Sequence, residues 1–213
     1  MNYRFDPIEE AIREIREGRL VIIMDSKDRE YEGDFVGAAS KATPETINFM
    51  VTHARGAYIA VFMPAGRCDA LDIPPMGVVN HSFNQTKFRT SVDAITNVSG
   101  SSAYDRAETV NALGNPKMKA ADFVRPGHVV PIEANPKGIL GRKGHTEAGV
   151  ELVRLAGIEP AVAVDLEILD EEGHMAHEET LFELAKRFKI KIISIDDLVE
   201  HVSNAKKKQG ALN

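Results

Sequence analysis

The 213 residues suffice for one large domain or at most two small ones, and at 43% hydrophobic content the chain needs no disulfide or metal staple to hold a core. A single cysteine, Cys68, excludes an intramolecular disulfide and any multi-cysteine zinc site within this sequence. The 26 Lys+Arg against 32 Asp+Glu, net −6, argue against a nucleic-acid partner, whose binding draws on a basic surplus. No apolar run approaches the roughly 18–20 residues of a membrane span. Met1 to Pro7 lacks the apolar core of a signal peptide, so the expectation is a soluble, cytoplasmic protein without a membrane partner.

Helix and strand signals alternate along the chain. Asp6-Pro7-Ile8-Glu9 predicts an N-cap, a first-turn proline and a capping-box glutamate. Ile8, Ala11, Ile12 and Ile15 repeat at helical spacing, and Gly18 suits the stop. Leu20 to Met24 reads as a buried strand, followed by a polar stretch from Asp25 to Asp34. Thr43-Pro44 opens a second helix bearing Ile47, Met50 and Val51 on one face. Tyr58 to Met63 reads as a strand, and Asn80 to Val98 as a weaker one. Ser102 caps a helix with Val110 and Leu113. Pro126-Gly127 is expected to turn into a strand over His128 to Ile132.

Gly144-His145-Thr146 opens a helix that closes near Gly157, and Ala161 to Leu169 is the longest strand candidate. A helix over Glu178 to Phe188, a strand over Lys191 to Ser194 and a short last helix follow. Residues 205–213, with Lys206 to Lys208, are expected to form a frayed basic tail. With no repeat and no linker, residues 1–204 read as one domain. The irregular order favours a mixed α/β sandwich over a strict βαβ sheet, and no glycine-rich dinucleotide loop follows Met24.

Three polar groups carry chemistry. Asp25 to Asp34 packs five carboxylates around Arg29; carboxylates this close repel unless a cation compensates, and a loop of hard oxygens suits Mg²⁺. A solvated acidic turn is the alternative. An EF-hand is excluded because, counting from Asp28, Ala39 occupies the twelfth position where a bidentate glutamate is required. In Arg125-Pro126-Gly127-His128 the histidine is either a candidate acid/base or a structural residue. In Arg142-Lys143-Gly144-His145-Thr146-Glu147, two cations at a helix start suit an anion; an ordinary Thr146 cap is the competing reading. Together the three suggest metal-assisted chemistry on a small sugar phosphate.

On these residues the chain resembles the 3,4-dihydroxy-2-butanone 4-phosphate synthase family, over about Ile8 to Val202. The likeness is carried in order by Asp28-Arg29-Glu30-Tyr31-Glu32-Gly33-Asp34, Ser102-Ala103-Tyr104-Asp105-Arg106, Arg125-Pro126-Gly127-His128 and Gly144-His145-Thr146-Glu147-Ala148. Leu155-Ala156-Gly157 and Asp170-Glu171-Glu172-Gly173 extend it. The resemblance implies a mixed α/β fold, a homodimer with shared active sites, and Mg²⁺ (or Mn²⁺) dependence. It implies conversion of D-ribulose 5-phosphate to 3,4-dihydroxy-2-butanone 4-phosphate and formate in riboflavin biosynthesis. Glu30 and His145 would be metal ligands. Arg29, Glu30 and Asp34 would contact the sugar, and Arg142, Lys143, Gly144, His145 and Thr146 would form the phosphate end of the substrate site. His128, Glu167, Asp34 and Glu30 would serve catalysis.

Several positions depart from the family pattern. Tyr31 replaces an asparagine, Arg55-Gly56-Ala57-Tyr58-Ile59 replaces Ser-Gly-x-x-Cys, and Arg89 and Val98-Ser99 stand where threonines are usual. Glu167 lies one residue further from His145 than the pattern leads one to expect, which calls for an insertion or bulge. His174 and His177 replace a threonine and an arginine and read as surface residues. If Arg55 and Arg89 faced the pocket, they would favour a different sugar phosphate; a catalytically inactive phosphate-binding homologue is a further alternative. Relatives often carry a fused zinc cyclohydrolase, and the lone Cys68 implies a monofunctional lyase.

Overall fold

A computed structural model of the chain describes residues 3–82 and 84–210. Helix α1 (Ile8–Arg16) leads to β1 (Val21–Met24), and β2 (Gly33–Ala38) returns antiparallel to it. Helix α2 (Pro44–His53), β3 (Ala60–Met63) and α3 (Ala65–Ala70) follow, then two short strands, β4 (Lys87–Phe88) and β5 (Val92–Ala94). Helix α4 (Ala103–Leu113) precedes the long β6 (Phe123–Glu133). Helix α5 (His145–Leu155), β7 (Ala163–Glu167), α6 (Glu178–Phe188), β8 (Lys191–Ser194) and α7 (Ile195–Gly210) complete the described chain.

The strands form one mixed sheet in the order β4-β6-β3-β7-β2-β1-β8, with β5 paired to β6 off that path. The β1–β8 and β3–β6 pairs are parallel and the others antiparallel. Alternation along each strand sorts side chains into two cores. Ile22, Phe35, Val61 and Leu166 pack with α2, α4 and α6, whereas Ile23, Val36, Phe62 and Ala163 pack with α1, α5 and α7. The expected mixed α/β sandwich is the architecture observed. Because side chains alternate, Asp34, Asp165 and Glu167 share the face covered by α5.

The expected Ser102 cap forms, and Thr43, at the expected start of α2, caps as well. Thr43 Oγ1 accepts from the Thr46 amide (3.2 Å) and Ser102 Oγ from the Asp105 amide (3.0 Å). Asp6, however, caps nothing: its carboxylate accepts from Lys191 Nζ and the Ile192 amide, both at 3.0 Å, tying the N-terminal segment to β8.

Other expectations fail for identifiable reasons. Strand β2 gives no strand signal because Gly33, Asp34 and Gly37 interrupt its apolar run. A Cβ at Gly33 would lie 2.5 Å from Leu181 Cδ1, so the glycine makes room for α6. Helix α3 is too short to show a period. The Asn80–Val98 strand is reduced to β4 and β5, and Ala161–Leu169 to Ala163–Glu167. The tail expected to fray from residue 205 instead continues α7 to Gly210; residues 211–213 lie outside the described residues.

Pro126-Gly127 makes no turn. It lies within β6, where β5 crosses so closely that a Cβ at Gly127 would sit 2.1 Å from the Val92 carbonyl carbon and 2.3 Å from the Asp93 amide. The β5–β6 register shifts at the same place, between Val92 and Asp93. Gly127→Ala should therefore cost about 3 kcal/mol or more, since backbone rather than a mobile side chain blocks the new methyl. Denaturant unfolding measures it; a loss below about 1 kcal/mol would mean the crossing is looser than described.

Candidate active site

The acidic stretch is the loop joining β1 to β2, and Asp25 organises it. The Asp25 carboxylate is buried and accepts from the amides of Glu32 (2.9 Å) and Glu30 (3.2 Å) and from Arg29 Nη1 (2.7 Å). The Asp25 amide donates back to the Glu32 carbonyl (3.1 Å), closing the loop. Glu30 faces Arg29 Nη1 at 2.5 Å and accepts from Asn84 Nδ2.

Arg29, Glu30, Asp34, Arg142, His145, Thr146 and Glu167 line one pocket together. Glu32, one of the five loop carboxylates, and Tyr58 also line it, with Thr86, Phe88 and Asp165, which were not singled out from sequence. The β2–β7 register is continuous and sets Asp34 opposite Glu167, so no bulge is needed to aim Glu167. Asp165 precedes it by two residues on the same face. Its presence in a strand otherwise read as apolar was the available signal.

Helix α5 supplies the pocket's cationic end. Gly144 is its N-cap, so Thr146 is not a cap. A Cβ at Gly144 would lie 2.3 Å from Arg142 Nη1; glycine lets that guanidinium lie across the helix start. Arg142 Nη1 donates to buried Glu147 Oε2 (2.7 Å), while Nη2 donates to the Asn84 carbonyl (3.2 Å) and Thr86 Oγ1 (3.3 Å). Arg142 and the first-turn amides of α5 together present positive potential to the pocket.

Lys143, Gly144 and His128 do not line this pocket. Lys143 Nζ faces Asp196 at 3.7 Å, at the start of α7. His128 Nδ1 pairs with Asp93 Oδ2 at 2.7 Å on a half-exposed face, and its amide donates to Asp93 Oδ1 (2.9 Å).

Burial and like charge shape the titration of the site. His145 Nε2 lies 3.2 Å from the Ile23 carbonyl, which can only accept, so that nitrogen carries the proton. Burial pushes the ring's pKa down to about 4, leaving it neutral, with the Nδ1 lone pair facing Asp34 Oδ2 at 3.5 Å. This is the arrangement of a metal-ligating histidine. Ligand atoms of Asp25, Glu30 and His145 lie within 4.8 Å of one another, and two carboxylates plus an imidazole suit a hard or borderline divalent cation. Both carboxylates are already engaged, Asp25 by two amides and Arg29, Glu30 by Arg29 and Asn84.

Burial, with Glu30 and Glu167 beside it, pushes Glu32 up to about 7. Burial likewise raises Glu167 above the usual carboxylate range, and it raises the Tyr58 phenol to about 12. Asp34 and Asp165 are fully enclosed neighbours on adjacent strands, and burial holds both well above the ordinary range. One oxygen of each, Oδ1, lacks a protein partner.

The positions that depart from the family pattern are directed elsewhere. Arg89 is buried and donates to Glu133 through Nε (2.9 Å) and to the Ile73 carbonyl through Nη1 (2.7 Å). Arg55 bridges Ile168, just past the end of β7, and donates to the Asp170 carbonyl (3.1 Å). Ile59 is core and Val98 is fully exposed. His174 is exposed beside Asp170 and Glu172, and exposed His177 stacks on Tyr31. Neither arginine lines the acidic pocket.

Residues 9–201 match the family model described as 3,4-dihydroxy-2-butanone 4-phosphate synthase. The chain belongs to the 3,4-dihydroxy-2-butanone 4-phosphate synthase family. Within the synthase family it is 48% identical over 202 residues to the riboflavin biosynthesis protein RibBA of Aquifex aeolicus, covering 93% of this chain and 49% of that protein. It is 46% identical over 197 residues to RibBA of Bacillus cereus, covering 92% and 49%. The chain thus spans about half the length of the curated relatives it matches. A solved synthase in complex with two magnesium ions superposes with a TM-score of 0.91 at 37% identity, covering 95% of this chain and 99% of that one. The Candida albicans synthase gives 0.85 at 38% identity, covering 94% and 99%.

Two substitutions test the placements. Arg89→Met should destabilise the fold by about 3 kcal/mol by leaving Glu133 short of its main partner. A solvent-facing arginine would cost within about 0.5 kcal/mol. Asp165→Asn removes a buried carboxyl whose raised pKa makes the native state hold a proton that the unfolded chain releases above about 3.8. Stability from that proton is lost as pH rises, so the asparagine variant should gain stability over the parent near pH 8 and gain less near pH 5. A gain independent of pH, or larger in acid, would contradict the assignment.

Proposed function

We propose that the chain converts D-ribulose 5-phosphate to 3,4-dihydroxy-2-butanone 4-phosphate and formate, supplying the four-carbon unit of riboflavin. The observation that carries this reading is the meeting, in one pocket, of the acidic-loop carboxylates, neutral His145 and the cationic start of α5. A phosphate fits the α5 end, where Arg142 is held by Glu147 and the first-turn amides are free of helix partners. Thr146 and Gly144 belong to the same turn, and Lys143 adds charge from outside the pocket.

Arg29 and Asp34 flank the space for the sugar hydroxyls. Glu30 and His145 would hold Mg²⁺, with Mn²⁺ a chemically acceptable replacement. When bound, the cation would act as a Lewis acid, polarising adjacent substrate oxygens. Enolisation, loss of water and release of one carbon each need a proton taken or given. Glu32, with its pKa near 7, and Glu167 are suited to that work. Asp34 shares its environment with Asp165, which favours holding one proton between the two.

His128 enters this scheme through a second copy of the chain. The exposed apolar residues Met76, Val78, Val79, Val98 and Val124 support a homodimer that covers them and shares its sites. No described helix is long and apolar enough to cross a membrane, and the cytoplasm is the proposed location. We also infer a single activity for these residues: Cys68 is buried in the core, and no cysteine-ligated zinc site can be built from it.

Incubation with ribulose 5-phosphate and Mg²⁺ should release formate. Glu30→Gln should lower turnover on the order of 100-fold while leaving the far-UV circular dichroism unchanged. No formate from the parent across pH and metals would refute the activity. Full activity in the variant would remove Glu30 from the metal assignment.

A further inference from the structure

Tyr31 stands between Glu30 and Glu32 with φ +55, in the left-handed region. A side chain with a Cβ pays roughly 1–2 kcal/mol to stay there, so something must hold it. Its ring packs against the core on the α6 side of the sheet, opposite the pocket that Glu30 and Glu32 line.

The holding contacts come from the turn beyond β7. His177 Nδ1 lies 2.8 Å from the Tyr31 carbonyl; a carbonyl only accepts, so Nδ1–H is the donor. The two rings stack, with centroids 5.0 Å apart and 22° between planes. The Tyr31 hydroxyl donates to Glu178 Oε2 (3.3 Å), and Lys27 Nζ lies 5.1 Å from the Tyr31 ring centroid and 3.9 Å from Glu178.

The support beneath His177 is rigid. It is the N-cap residue of α6, its carbonyl accepts from the Leu181 amide (3.0 Å), and Leu181 is buried against Gly33 of β2. The Ala176 amide donates to the Ile168 carbonyl (2.8 Å), just past Glu167. The same strand end thus carries a pocket carboxylate and the ring that grips the loop.

We propose that Tyr31 and His177 form a clamp that sets the direction of Glu30 and Glu32, which makes both of them positioning residues for the pocket. The proposal rests on the reading of Glu30 and Glu32 as site residues. His177 touches no reacting group and acts through the Tyr31 backbone. Outer contacts that orient a ligand typically contribute 10- to 100-fold to metal affinity or activity, and the clamp is placed to act in this way.

The test combines amide hydrogen exchange with activity in the full chain. The Glu30 and Glu32 amides, which donate to Asp25, report directly on loop order. His177→Ala removes donor and ring; His177→Asn restores an N–H near Nδ1; His177→Phe restores only the stack. His177→Ala should speed exchange at Glu30 and Glu32 and lower kcat and apparent Mg²⁺ affinity about tenfold, with little change in thermal midpoint. His177→Asn should recover most of the loss and His177→Phe less. Unchanged exchange at both amides in His177→Ala overturns the clamp, whatever happens to activity. If the parent releases no formate yet His177→Ala speeds exchange at those amides, the clamp stands and the proposed reaction falls.

Discussion

The buried carboxylate of Asp25 is the constraint on which the pocket depends. Carboxylates crowded in one loop repel, and an unrestrained chain would splay them into water. Asp25 sits where β1 ends and draws two backbone amides and Arg29 onto its oxygens. That wraps the loop around a fixed charge. Glu30 and Glu32 are held over the pocket by hydrogen bonds to the backbone at each of them, and β2 starts in the register that brings Asp34 to the same face.

From there β2 carries the acidity into the sheet. Its place between β1 and β7 puts Asp34 beside Asp165 and opposite Glu167. Enclosing two carboxyls together, each with one unpartnered oxygen, works against stability. Such a cost is characteristic of a site selected for chemistry rather than for folding. Opposite stands α5, where Arg142, Glu147 and the glycine cap concentrate positive potential. Acid on one wall and cation on the other give the pocket polarity along its length.

Substitutions that look alarming in a motif need not touch the chemistry. Arg89, in place of a threonine, is absorbed by Glu133 and a backbone carbonyl. Arg55 is turned toward the Asp170 carbonyl. Tyr31 and His177, each a departure from the usual residue, stack on one another. Two local irregularities thereby become one contact beside the site.

Much was legible in the sequence where the signal is local. Helix periods, Thr43 and Ser102 at helix starts, and the glycine before α5 depend on residues a few positions apart. So does the crowding of acid after β1. The resemblance named the family and most of the residues that converge on the pocket. Strand β2, by contrast, was hidden by its glycines. Asp165 carried no signal beyond its place in the Ala161 to Leu169 strand, and Pro126-Gly127 looked like a turn. Each owes its role to a neighbour distant in the chain: Leu181 behind Gly33, Asp34 beside Asp165, Val92 over Gly127. Sequence alone determined which chemical groups are present and which local elements carry them. Tertiary structure decided which charges share a face and which are neutralised elsewhere, because burial and pairing are properties of the space between segments.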